Sequence, residues 1–177
     1  MSSLISAIFS GNVTVVIMLV IARAIVVFLC LPVHELCHGL AAYKLGDDTA
    51  KKMGRLSFNP IAHLDPLGTI MIFLFGIGYA KPVPINPLKF KDYRKGVALT
   101  ALAGPLSNLA MAFVSAFVSA AVLHFFSGAA AARVIAYLFS LTASINISLA
   151  VFNLLPIPPL DGSRIFAMIL PARLYEK

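Results

Sequence analysis

Residues 13–33 carry a single charge, Arg23, and lead without a polar break into His34-Glu35-Leu36-Cys37-His38. An apolar run of about 20 residues matches a hydrocarbon core of ~30 Å, so two histidines and a glutamate are placed where water is scarce and each is costly. On a helix the two histidines share one face and can grip a Zn²⁺ together, while Glu35 can activate water beside the metal. The pattern reads as the centre of a metalloprotease set into a membrane helix. Cys37 is excluded as a ligand, because it lies about 100° around the helix from His38.

The rest of the chain agrees with a membrane setting. It is 60% hydrophobic and 12% charged, against about a quarter charged in soluble domains. Its 177 residues leave room for four or five spans and short loops, so one membrane domain, 1–177, is expected, with no separate water-soluble module. The net charge of +7 sits in two loops beside apolar segments. The positive-inside rule explains it there, and nucleic acid is not an expected partner. Met1-Ser2-Ser3 offers no basic region of a removable signal peptide. Cys30 and Cys37 form no CxxC pair, so no disulfide framework is expected.

Hydrophobic segmentation predicts an all-α integral membrane protein of about four transmembrane helices, plus a short segment and a short C-terminal helix. The first run, 13 to about 45, exceeds the membrane thickness, and Pro32 predicts a kink just ahead of His34. Residues 4–9 are too short to span and fit the interface. The run 67–80 is only about 14 residues. It lies between basic loops containing Lys51, Lys52 and Arg55 on one side and Lys89, Lys91, Arg94 and Lys95 on the other. It is either re-entrant or a short, bilayer-thinning helix. The segment 97–126 is expected to be interrupted at Gly104-Pro105, and 134–155 to be the last span. Pro156, Pro158 and Pro159 then open the chain before an apolar tail, 165–170.

Of seven acidic residues, only Glu35 and Asp161 are embedded in apolar sequence. A carboxylate at membrane depth costs at least ~2.5 kcal/mol by insertion scales and calls for a partner or a metal. A catalytic zinc takes three protein ligands and keeps one position open. His34 and His38 supply two, and Asp161 is the first candidate for the third. His63 and Asp65, in a loop flanked by prolines, are rivals by chemistry alone. Glu35 is then the general acid and base of peptide hydrolysis. Asn153 and Asn108 are candidates for oxyanion stabilisation or substrate positioning, against the commoner role of polar glue between helices. Arg23 is expected to snorkel or to pair with a neighbouring helix.

Three motifs in order carry a family resemblance: His34-Glu35-Leu36-Cys37-His38, Gly104-Pro105-Leu106-Ser107-Asn108, and Asn153 followed by Leu160-Asp161-Gly162. Across residues 30–165 the chain resembles the site-2 proteases, zinc intramembrane metalloproteases, in their short prokaryotic branch without PDZ or CBS domains. The resemblance implies one Zn²⁺ per chain on His34, His38 and Asp161, with Glu35 catalytic. It also implies a substrate that is a transmembrane segment of another protein, cut within a lipid bilayer near the cytosolic face of a prokaryotic cell membrane. Neither the substrate, the trigger nor the oligomeric state is implied.

Overall fold

The computed structural model describes residues 4–76 and 78–169. A short helix, α1 (Leu4–Phe9), precedes α2 (Val13–Ile25), whose start is capped by the Asn12 side chain accepting the Val15 N–H at 3.2 Å. The helical run does not stop at Pro32. A π-helical turn at Val26–Cys30 carries α2 into α3 (Leu31–Lys44), with the Leu31 N–H reaching back five residues to the Val26 carbonyl. The wider turn makes room for a ring that would clash in an α-helix and for an imino nitrogen with nothing to donate. The kink expected at Pro32 is thus realised as a change of helix type inside one continuous run, Val13–Lys44.

Two further long helices complete the frame. Asp92 caps α6 (Tyr93–Phe126) by accepting the Lys95 N–H at 3.0 Å, and α6 runs unbroken through Pro105. The expected interruption at Gly104-Pro105 is absent. α7 (Ala130–Asn153) packs back along α6, with Ala112, Ser115, Ala132 and Ala136 buried and the Ser119 hydroxyl donating to the Ala136 carbonyl at 2.8 Å. Small side chains allow this close approach where lipid supplies no hydrophobic drive between helices. Relative to the sequence reading, both helices begin about four residues earlier, because small and polar residues at their starts continue the helix with little apolar signal. The last helix, α8 (Asp161–Ile169), starts at Asp161 itself and lies against α6; the end of the expected tail, Leu170, falls outside the described residues. Among the described residues three helical runs are long and apolar enough to cross a membrane, where about four were expected.

The remaining apolar segment forms α5 (Pro66–Phe75), a helix of 10 residues, about 15 Å long and half the ~30 Å hydrocarbon core. It ends at Gly76 in a left-handed conformation (φ 78°), and the chain then folds back along it. A Cβ on Gly68 would overlap the Tyr79 carbonyl, so the outgoing and returning limbs touch. The limbs are also tied below the helix, where the Lys81 N–H donates to the His63 carbonyl at 2.8 Å and Arg55 Nη2 donates to the Lys81 carbonyl at 2.8 Å. The two ends of residues 67–80 therefore lie close together, the arrangement that the re-entrant alternative requires. A helix that ends at membrane depth exposes carbonyls that need donors. Arg23, 1% exposed, donates to the Phe73 carbonyl, so two costly polar groups answer each other. Ile72 packs beside that link into the main core with Ala22, Val26, Val27, Cys30, Ile145 and Leu149.

This return path makes sidedness testable. In a background lacking Cys30 and Cys37, single cysteines at Lys52 and Lys91 are expected to react with a membrane-impermeant thiol reagent from the same face. Labelling from opposite faces would mean that residues 67–80 cross.

Candidate metal centre

Three elements converge on one point. α3 contributes His34 and His38, one turn apart, with their Nε2 atoms 3.0 Å from each other. The prolines after α7 redirect the chain so that the first residue of α8, Asp161, brings its Oδ2 to 3.4 Å from His34 Nε2 and 3.2 Å from His38 Nε2. Gly162 makes that path possible, since a Cβ there would overlap the Leu154 carbonyl. α6 closes the third side at Gly104, where a Cβ would collide with both imidazole rings.

The donor set fits a zinc ion. Bonds of about 2.0–2.1 Å at tetrahedral angles put zinc ligands about 3.3 Å apart, close to the three separations found. One ligand atom from each of His34, His38 and Asp161 lies within 4.8 Å of the others. His38 Nδ1 is 2.7 Å from the Thr100 carbonyl, which can only accept, so Nδ1 carries the proton and Nε2 turns its lone pair to the shared point.

Glu35 stands beside this cluster, 8% exposed, with its Oε2 accepting the Val83 N–H at 2.9 Å. Both face a cavity of about 450 Å³ whose wall is mostly apolar, including Leu31, Met71, Leu149 and Phe152. Asn153 lines the same cavity; its Nδ2 donates to the Leu149 carbonyl at 3.0 Å, which leaves one amide hydrogen and the oxygen. Asn108 is fully buried on α6 and is not among the residues lining this cavity. The structure brings Asn153 to the site and does not bring Asn108 there.

The rival ligands have other work. His63 is buried with Nε2 bonded to the Ser57 carbonyl at 2.8 Å, and Asp65 caps α5 by accepting the Gly68 N–H at 2.9 Å. Cys30 and Cys37 are both free, as expected from their spacing.

Comparison with known proteins places the chain. Its residues 120–177 match the family model described as peptidase family M50. Over 141 residues, 78% of this chain and 64% of the relative, it is 48% identical to the "Putative zinc metalloprotease YwhC" of Bacillus subtilis. The chain is thus similar to peptidase family M50 and to this relative. Other relatives include "Putative zinc metalloprotease Rip2" of Mycolicibacterium smegmatis, 33% identical over 76% of this chain and 51% of the relative. "Putative zinc metalloprotease MJ0611" of Methanocaldococcus jannaschii is 34% identical over 75% of this chain and 62% of the relative. The matched region thus spans half to two thirds of these relatives. No solved structure matches the chain.

Sequence reasoning missed several groups of this site. The Thr100 carbonyl and the Val83 N–H are backbone atoms and leave no residue-type signature. Gly104 could have been found, because a glycine beside a proline in an unbroken apolar helix marks a close approach. Arg164, one turn after Asp161, also lines the cavity.

Metal analysis of purified variants checks the ligand set. His34→Ala and His38→Ala are expected to lose bound zinc, and Asp161→Asn to weaken it at least ~10-fold, since each removes a ligand bond. His63→Ala and Asp65→Asn are expected to keep it. An empty site in either of the last two with a loaded Asp161→Asn would move the third ligand into the 63–65 loop. Gly104→Val, which removes no ligand, is expected to empty the site by displacing both imidazoles.

Proposed function

We propose that this protein is an intramembrane zinc endopeptidase that cuts transmembrane segments of other membrane proteins. The observation that supports it most is the meeting of His34, His38 and Asp161 beside Glu35, on the wall of an apolar cavity framed by membrane-length helices. His34, His38 and Asp161 would hold the ion. A bound Zn²⁺ supplies Lewis acidity, polarising a peptide carbonyl and making water nucleophilic near neutral pH. Glu35 takes a proton from the attacking water on a carboxylate oxygen and returns it to the departing amine. Asn153 holds a free amide hydrogen toward the developing oxyanion or the substrate backbone. The apolar wall excludes bulk water and accepts the side chains of a partly unwound substrate helix.

Location follows from charge. Lys51, Lys52, Lys89, Lys91 and Arg94 flank the re-entrant segment, and the positive-inside rule puts them in the cytosol. The metal site lies a short distance into the membrane from that face, in the cell membrane of a prokaryote, as the bacterial and archaeal sources of its relatives suggest. Release of a cytosolic fragment from a membrane-bound protein, or clearance of a membrane-bound remnant, is the outcome expected of such a site.

Purified enzyme in detergent, given a single-span substrate, tests the proposal. Wild type is expected to carry about one zinc and to cleave within the span, and chelation is expected to abolish cleavage until zinc is restored. Glu35→Gln is expected to keep its zinc and lose at least ~10²-fold in turnover, because proton transfer is lost while the ligands remain. Equal turnover of Glu35→Gln and wild type would remove Glu35 from the mechanism.

A further inference from the structure

The return limb of the re-entrant segment passes directly over Glu35 as Pro82-Val83-Pro84. A proline has no N–H, so this tripeptide owns a single backbone donor. That donor, the buried Val83 N–H, is aimed at Glu35 Oε2 at 2.9 Å. The Val83 side chain settles one turn further along α3, where a Cβ on Gly39 would stand 3.2 Å from Val83 Cγ1. One residue of the strap therefore grips α3 both at its carboxylate and at its glycine.

Both ends of the strap are anchored by groups that have no part in the proposed chemistry. Upstream, the Lys81 N–H is bonded to the His63 carbonyl at 2.8 Å, and Arg55 Nη2 donates to the carbonyls of Lys81 and Pro82 at 2.8 and 3.3 Å. Downstream, the Asn86 N–H donates to Asp47 Oδ2 at 2.6 Å. Asp47 is fully buried and is itself fixed by the Thr49 N–H and hydroxyl at 3.0 and 2.5 Å. Pro82, Pro84 and Pro87 lock φ along the strap and lower the entropy lost in holding it. A donor so well placed and so rigidly held exceeds what closing a surface loop requires.

We propose that the Val83 backbone N–H is a positioning group for Glu35. It holds one carboxylate oxygen so that the other faces the site, and the Arg55 and Asp47 anchors keep it in register. This rests on the reading of Glu35 as the proton carrier. A carboxylate free to rotate offers its reacting oxygen in the right direction for only part of the time, and a charge-assisted bond to a fixed amide removes that freedom.

The test replaces the Val83 amide by an ester, using the α-hydroxy acid of valine, which deletes the N–H and keeps side chain and shape. Val83→Pro serves as a genetically encoded second variant. Both are measured in wild-type and Glu35→Gln backgrounds for kcat, KM and zinc content. The ester is expected to lower kcat about 10- to 100-fold, with KM and zinc unchanged, and to cost nothing more in Glu35→Gln, where no proton-carrying carboxylate remains to be oriented. Asp47→Ala is expected to lower kcat in the same direction with zinc retained. Full activity of the ester enzyme, or an equal loss in both backgrounds, overturns the proposal and leaves a packing role only. Equal turnover of Glu35→Gln and wild type overturns the proton-carrier reading itself, a separate result.

Discussion

An ionised carboxylate at membrane depth costs at least ~2.5 kcal/mol by insertion scales, and this fold is built around answering two of them. Asp161 is gathered with His34 and His38 into a donor set whose ion would balance its charge, and Glu35 is met by the Val83 N–H. Neither answer is local. The first needs the chain beyond α7 to double back over α3, and the second needs the limb beyond α5 to return across it. Removing one partner leaves a buried charge unpaired.

Bringing these pieces together requires departures from regular helix geometry, and each is placed where it serves the site. The π-helical turn at Val26–Cys30 absorbs Pro32 and lets α3 start just ahead of His34. Gly104 lets α6 close on the imidazoles, and through that contact the Thr100 carbonyl fixes the His38 tautomer. Gly162 lets α8 begin against the end of α7. Far from the chemistry, Arg23 supplies a donor to the Phe73 carbonyl near the end of α5, so the one charge of the first apolar run and an open helix end answer each other.

What was legible in the sequence was the chemistry that is expensive to misplace. His34, Glu35, His38 and Asp161 stood out because ionisable residues rarely occur in apolar sequence, and the structure gathers all four. The choice among Asp161, His63 and Asp65 could not be closed from residue type, since all three can bind zinc. Geometry favours Asp161, which lies with His34 and His38, while His63 and Asp65 are bonded to the Ser57 carbonyl and the Gly68 N–H. The path of residues 67–80 was left open because hydropathy measures only whether a segment tolerates lipid. Whether residues 67–80 turn back depends on the His63–Lys81 bond between their flanks, which leaves no trace in hydropathy. The backbone donors and acceptors of the site are silent for a similar reason, as every residue but proline carries them.

The loop charges outside the membrane show how to weigh such contacts. Asp48 is exposed, and Lys52 and Lys89, at 2.5 and 2.6 Å, hold its carboxyl down to about 2. Exposed pairs of this kind contribute little, because water and salt screen them. Asp47 is different. Burial by itself would raise its carboxyl, but bonds from Thr49 and the Asn86 N–H, with Lys89 at 3.8 Å, outweigh that and lower it. A carboxylate depressed in the folded state stabilises it above the unfolded pKa of about 3.9 and loses that contribution only as pH falls through the lower folded value. The Asp47 anchor therefore stays ionised across the neutral and mildly acidic range. The strap over Glu35 is built as a constant fixture, and mild acidification leaves its anchor in place.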